Sequence, residues 1–473
     1  MVFKSYALLA PEVLLIIAAA WALFADRLPG RDRGAAILAA VLVACAGLIT
    51  GFTEKGTALF GQKLLFTTDS RFGGVALCAL VLVWLIWTAA AGRGRTAEAI
   101  ALACLSLAGT LLAIQATDLI VLLLTLELSS VPVYVMVGYR KERKTGLEGA
   151  LKYFLLSMLT SLFLFYGASF AFGLIGSTSL LSLATLPNEP LTAVVLIFLF
   201  VGILAKMSAA PFHFWAPDAY EGAEPWSVAF AATVPKVAVS FVVARLIMVL
   251  AQSLALAPLL KWALLIAAVL SMLVGSLGAL GQKDLRRMMA YSGIVNMGYV
   301  LLSLSALSSD GIYAALLFAV AYALPTMGIL LIASSEGGRV SDLAGLSRRR
   351  PLAAASLTIC ALSLVGVPPL MGFFGKFFIF VAGVAGSLMP FVILMVVVSV
   401  ISAFYYMRLV KAAFFDQPEG QREDQSKLEA KEIPERRKVS VGAEAAVFLC
   451  TLLTFAAGIG ASLIITWLSN PPY

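Results

Sequence analysis

Fourteen apolar blocks, separated by short polar connections, fill this sequence. They lie at about 7–25, 35–53, 73–91, 97–115, 117–138, 147–174, 191–213, 226–249, 256–280, 288–306, 311–333, 351–386 (interrupted), 388–407 and 443–467. Most reach the ~20 residues an α-helix needs to cross ~30 Å of hydrocarbon. A chain of this kind cannot bury its apolar surface in one water-soluble core. Of its 473 residues 61% are hydrophobic and 13% charged, whereas a soluble domain carries about 25% charge. Strands of a membrane barrel would alternate apolar and polar residues, and these blocks do not. The pattern predicts an all-α polytopic membrane protein with about fourteen transmembrane helices. The first block is not read as a secretory signal, because Pro11 and Glu12 interrupt it and further spans follow.

The basic residues orient the spans. Of 34 Lys and Arg, 24 fall in connections that follow odd-numbered spans, from Arg27, Arg31 and Arg33 to the run between Arg408 and Lys438. Only 4 lie on the opposite side: Lys4, Lys55, Lys63 and Arg71. By the positive-inside rule both termini then face away from the cytoplasm. The net charge of +8 is thereby a topology signal, and nucleic acid is not an expected partner. Cys45, Cys78, Cys104, Cys360 and Cys450 lie singly in apolar blocks, and His213 is the only histidine. An iron–sulfur cluster needs about four clustered thiolates, so no metal site or redox centre is expected within this chain.

Four charges break the apolar pattern near mid-membrane: Glu127, Lys206, Lys236 and Lys376. Each costs about 2.5–3.5 kcal/mol on insertion scales, so they should face the bundle interior and find partners there. Lys261 and Arg245, close to span ends, can snorkel to the interface. Prolines accompany all three lysines: Pro211 follows Lys206, Pro235 precedes Lys236, and Pro368 and Pro369 precede Lys376. Proline breaks a helix, and opened backbone at membrane depth is tolerated only inside protein or along a watery cavity. The spans of Lys206 and Lys376 are each the fourth in a block of five, about 97–249 and 256–407. Since five is odd, the second block starts from the opposite side, the arrangement of an inverted repeat. An ion pair at about 4 Å and an effective dielectric of ~20 is worth about 4 kcal/mol, so moving a carboxylate to or from a lysine changes its proton affinity roughly a thousandfold. Static ion pairs bracing the helices are the alternative. His213 is either a core histidine or a relay.

Several stretches then resemble the antiporter-like membrane subunits of respiratory complex I, the NADH-quinone oxidoreductase, and among them its subunit N. They are Leu-Glu-Leu-Ser-Ser-Val-Pro around Glu127, Glu148-Gly-Ala-Leu-Lys152-Tyr-Phe, the run from Lys206 through His213-Phe-Trp215-Ala-Pro217-Asp218-Ala-Tyr220-Glu221-Gly, Val-Pro-Lys236 and Gly372-Phe-Phe-Gly-Lys376-Phe. The resemblance implies three N-terminal helices (1–96), two inverted five-helix repeats with broken helices (97–249 and 250–415), a charged cytoplasmic connection (416–442) and a last helix (443–473). Each repeat would form a half-channel joined to the other by a polar axis. In this family Glu127 looks like the acid modulating Lys206, Lys236 like the central connecting residue, Lys376 like the lysine of the second half-channel, and Glu148 like an additional acid. An i,i+4 helix pair between Glu148 and Lys152 accounts for Glu148 equally well. The implied function is proton translocation in a bacterial cytoplasmic (inner) membrane, coupled to quinone reduction elsewhere. NADH, FMN, iron–sulfur clusters and quinone would sit in partner subunits, alongside sister antiporter-like subunits. A subunit of a multi-subunit cation/proton antiporter, or of a ferredoxin- or hydrogenase-linked membrane complex, is the alternative. Two departures stand out: Asn296 replaces the histidine common in the tenth span, and Gly222-Ala-Glu224-Pro-Trp-Ser replaces Gly-Ala-Pro-Thr-Pro.

Overall fold

The computed structural model describes residues 7–25, 32–91, 96–140, 144–417 and 440–469. Arg27, Arg31, Arg93, Arg95, Lys141, Arg143 and most of the charged connection 416–442 lie outside the described residues. The chain is an all-α membrane protein whose helices follow the apolar blocks. In order they are α1 (Ala10–Ala25), α2 (Asp32–Phe52), α3 (Thr68–Ala91), α4 (Thr96–Gln115), α5 (Leu119–Val137), α6 (Lys144–Ile175), α7 (Pro190–Met207), α8 (Trp215–Gly222), α9 (Pro225–Ala231), α10 (Val234–Leu250), α11 (Ala257–Leu280), α12 (Leu285–Leu304), α13 (Ser309–Glu336), α14 (Leu346–Arg349), α15 (Pro351–Val365), α16 (Met371–Ala385), α17 (Met389–Phe414), α18 (Val441–Ile459) and α19 (Ala461–Ser469).

Among the described residues, eleven helical stretches, with α9 and α10 taken together, are long and apolar enough to cross a membrane. The short α1, the split pair α15 and α16, and α12 complete the fourteen crossings. Capping residues fix several starts, since a side-chain oxygen satisfies amides that the first turn leaves free. Asp118 accepts from the Ile120 and Val121 amides, Asp284 from those of Arg286 and Arg287, and Ser308 from that of Gly311. A helix apolar all round belongs in the centre of a bundle, and the apolar window of α13 is entirely buried. The windows of α6 and α17 are only a third buried. They turn side chains such as Leu155, Phe172, Val400 and Phe404 outward.

The connections alternate between two faces, as the span count requires. After odd-numbered crossings, Arg140 pairs with Glu224 at 3.3 Å, Arg286 donates to the Ala223 carbonyl, Arg350 joins Glu336 and Glu444, and Arg408 donates to the Leu280 carbonyl. After even-numbered crossings, Lys63 approaches Asp118 at 3.8 Å and the Thr178 hydroxyl donates to Asp118. On that second face the connection between α2 and α3 forms an antiparallel hairpin too short to be legible in the sequence, Ala58–Leu59 with Leu64–Leu65. Arg245 reaches the connections at this same face. It donates to the Ala116 carbonyl at 2.9 Å and to the Thr67 hydroxyl at 3.3 Å, tying α10 to the connections before α5 and α3.

Candidate functional site

Helix α7 stops at Met207, where Ser208 caps it with a left-handed φ of 53° and the chain continues through a cis Ala210–Pro211 bond. Lys206 therefore sits in the last turn of a half-helix, where the dipole favours a cation. Its ammonium donates to Glu127 Oε1 at 2.9 Å and to the Ser130 hydroxyl at 3.3 Å, both on α5. The Ser161 hydroxyl of α6 donates to the same carboxylate oxygen at 2.5 Å. The side chains are 5% and 18% exposed. A buried pair survives only when hydrogen bonds complete it, and three helices supply them here. Glu127 Oε2 has no hydrogen-bond partner among the described residues, so the carboxylate is held on one oxygen and can turn.

Lys236 lies just beyond the interruption at Ala232 and Thr233, with Pro235 in the first turn of α10. It is 1% exposed. The expectation that every mid-membrane charge pairs needs correction here: Lys236 Nζ has no hydrogen-bond partner among the described residues. An aromatic face stands in, the Tyr220 ring centroid being 5.6 Å away, because the helix backbone around this depth already spends its carbonyls on its own ladder.

Lys376 occupies the other broken crossing. Helix α15 ends at Val365, Gly366 turns the chain with φ 98°, a position suited to glycine, and a cis Pro368–Pro369 bond precedes α16. The Lys376 ammonium reaches back across the gap. It donates to the carbonyls of Leu364 (2.8 Å) and Val365 (2.9 Å) and to the Ser399 hydroxyl of α17 (2.8 Å). Those carbonyls end a helix and lack donors within it, and the Ser399 hydroxyl also donates to that of Val365 at 3.3 Å. Lys376 forms no ion pair with a described carboxylate. The Tyr299 ring lies 5.5 Å from its ammonium.

The remaining sequence candidates lie apart from the buried lysines. His213 packs against Phe214 with ring centroids 4.5 Å apart, and its Nδ1 has no partner among the described residues. Glu148 forms the i,i+4 pair with Lys152 at 2.8 Å, and Lys152 continues to Asp218 at 3.0 Å. Arg287 joins Asp218 and Glu221, so Glu148 belongs to a charged cluster beside a cavity of about 1100 Å³ that also reaches Lys283 and Arg339. Burial raises the Asp218 carboxyl, but hydrogen bonds from Lys152 and Arg287 outweigh it and hold it below the usual carboxylate range. The unusual Glu224 is explained by its bridge to Arg140. Asn296 donates to the Ser292 carbonyl at 2.7 Å. Charge alone does not mark the buried hydroxyls of Ser130, Ser161, Ser292, Tyr299, Tyr322, Tyr405 and Tyr406, or the half-buried one of Ser399. Their signal is hydroxyls set inside apolar helices.

Comparison with known proteins follows the same residues. The family described as NADH:quinone oxidoreductase/Mrp antiporter, TM, matches residues 116–402, a span that contains all four buried charges. NADH-quinone oxidoreductase subunit N of Maricaulis maris is 38% identical over 393 residues, covering 80% of this chain and 81% of that protein. The Parvibaculum lavamentivorans subunit N is 35% identical over 430 residues, covering 86% and 87%. Among solved structures, a chain of respiratory complex I from Thermus thermophilus with bound aureothin superposes with a TM-score of 0.81 at 30% identity, over 97% of this chain and 99% of that one. A chain of the Mrp complex from Dietzia sp. superposes with a TM-score of 0.84 at 20% identity, over 99% and 96%, a likeness of fold.

Proposed function

The chain belongs to the membrane-subunit family of NADH:quinone oxidoreductases and Mrp antiporters, and on that premise we propose that it moves protons through its buried Glu and Lys residues while partner subunits perform the redox chemistry. Within the family it stands with subunit N, as a multi-pass proton-translocating subunit of respiratory complex I that assembles with other membrane subunits and with peripheral ones. NADH, FMN, iron–sulfur clusters and quinone are assigned to those partners. The lysine and arginine asymmetry supports a bacterial cytoplasmic membrane with both termini on its outer side. We read 1–96 as a three-helix N-terminal unit, 97–249 and 250–415 as inverted five-helix halves, and 443–473 as the closing helix.

The observation that carries this reading is the buried Lys206–Glu127 pair at a helix interruption, 2.9 Å long and completed by two serine hydroxyls. While Glu127 is close, Lys206 holds its proton. When the carboxylate turns away, the stabilisation of about 4 kcal/mol is withdrawn and the proton moves toward Lys236 and then Lys376. Carrying one charge against 100 mV requires about 2.3 kcal/mol, which such a switch covers. Liposomes holding the complex with Lys206→Ala or Lys376→Ala should translocate fewer protons per NADH oxidised. An unchanged ratio in either would refute the route. Purification in mild detergent separates the antiporter alternative: flavin and iron–sulfur subunits come with the chain in the first case, and only small membrane subunits in the second.

A further inference from the structure

Between Lys236 and Lys376 lies a set of hydroxyls, all buried but the half-buried Ser399, that the charged residues do not account for. Lys236 Nζ and the Tyr322 hydroxyl converge on Gly293, where a Cβ would come within 2.5 Å of the first and 2.9 Å of the second. The next residue toward the N-terminus, Ser292, shares a hydrogen bond of 2.5 Å with the Tyr406 hydroxyl. Tyr405 and Tyr406 have ring centroids 4.5 Å apart. Tyr405 faces Ser402, and Tyr299 faces both Ser402 and Ser399. Ser399 accepts from Lys376 at 2.8 Å. All four tyrosines are at most 1% exposed. The hydroxyls of Tyr322, Tyr299 and Tyr405 complete no hydrogen bond among the described residues, although a buried polar group ordinarily does.

Resting on the proton-carrying function above, we propose that Tyr322, Tyr406, Tyr405 and Tyr299, with Ser292, Ser402 and Ser399, form a hydroxyl relay that passes protons from Lys236 to Lys376. A hydroxyl both donates and accepts, so it can take a proton on one side while releasing its own on the other. In a transfer, one N–H bond of the Lys236 ammonium breaks and an O–H bond forms on the first hydroxyl. Each following hydroxyl exchanges one O–H bond for another. The last proton forms an N–H bond on the neutral amine of Lys376. Lys236 ends neutral, Lys376 ends as an ammonium, and no hydroxyl keeps a charge. The open hydrogen bonds leave the hydroxyls free to rotate back. Asn296, at hydrogen-bond distance from Ser292 (2.7 Å to its carbonyl and 3.4 Å to its hydroxyl), orients the relay without itself having to ionise.

The test is the number of protons taken up per NADH oxidised by liposomes holding the whole complex. Tyr406→Phe, which deletes one oxygen, should lower this ratio as far as Lys376→Ala does, and the double variant should fall no further. Tyr299→Phe should act alike, and it serves where Tyr406→Phe does not assemble. Asn296→His in the Tyr406→Phe background should restore part of the ratio, since an imidazole beside Ser292 supplies a new proton carrier; a merely structural role for Tyr406 would not be rescued this way. A full ratio in both tyrosine variants, with Lys376→Ala impaired, would overturn the relay alone. A full ratio in Lys376→Ala would instead overturn the function on which it rests.

Discussion

The two broken crossings present the same residue type in opposite company. Lys206 faces a carboxylate, with Glu127 Oε1 2.9 Å away. Lys376 faces three neutral oxygens, two of them the terminal carbonyls of α15. Both ammoniums are satisfied, but they respond differently to losing a proton. Deprotonating Lys206 strands a buried anion, so its proton leaves only if Glu127 moves or is itself neutralised. Deprotonating Lys376 leaves dipoles that lose a donor and no unpaired charge. On the proposed route, motion of an acid gates the first half, and the second receives and releases. Lys236, with an aromatic face and no hydrogen bond among the described residues, has the weakest hold of the three, which suits a point of passage.

This contrast is most sharply tested by deletion. Lys206→Ala leaves Glu127 buried and unpaired, a loss of about 3–5 kcal/mol, whereas Lys376→Ala leaves neutral acceptors unmet at about 1–3 kcal/mol. Thermal melting of the detergent-solubilised complex should therefore drop further for the first. Equal drops would erase the distinction between the halves. Making the second site resemble the first is the next step down in effect. Ser399→Asp places a carboxylate where the hydroxyl now accepts, attracting Lys376 by up to about 4 kcal/mol, and it should slow proton release and lower the proton yield. A faster or unchanged yield would mean that Lys376 does not work by losing its proton.

The charged cluster around Asp218, apart from the buried lysines, should give way only in strong acid. The Asp218 carboxyl is held below the usual range by Lys152 and Arg287. A depressed carboxyl contributes stability that is complete above its ordinary value of 3.8 and is lost as pH falls through the lower folded value. Corrected for the intrinsic pH dependence of amide exchange, hydrogen exchange in α8 should thus stay constant from neutral pH down to that range and accelerate only below it. Acceleration already near pH 6 would contradict the pairing. The smallest effect belongs to Ser130→Ala, which removes a 3.3 Å hydrogen bond worth about 1 kcal/mol or less. It should leave melting almost unmoved and shift proton yield less than Ser399→Ala.

Much of this architecture is legible in the chain itself. Length and hydropathy mark a crossing strongly, so fourteen blocks map onto fourteen passages, and the prolines near Lys206, Lys236 and Lys376 mark real interruptions. Glu127 and Lys206 stand out because a lone charge in an apolar span is costly. Their pairing, 79 residues apart in sequence, depends on how three helices pack and is not written locally. Lys236 shows the limit of the rule that buried charges pair: insertion cost says a partner is wanted, not that one is present. The tyrosines and serines are less legible still. A hydroxyl costs far less in an apolar span than a charge, so it leaves little trace in hydropathy and is noticed only when packing brings several together. Arg245 looked like an interfacial residue, and only the fold shows its carbonyl partner at Ala116.

The central claim is that the carboxylate of Glu127 switches the proton on Lys206 and does not merely brace it. The measurement that reaches it directly is the proton yield per NADH of liposomes holding the complex with Glu127→Gln, a substitution that keeps the size and one hydrogen bond to Lys206 but removes the charge. The expected yield is as low as that of Lys206→Ala, because Lys206 no longer has an anion to hold or release its proton. A yield equal to that of the unmodified complex would show the pair to be a structural brace and would contradict the account.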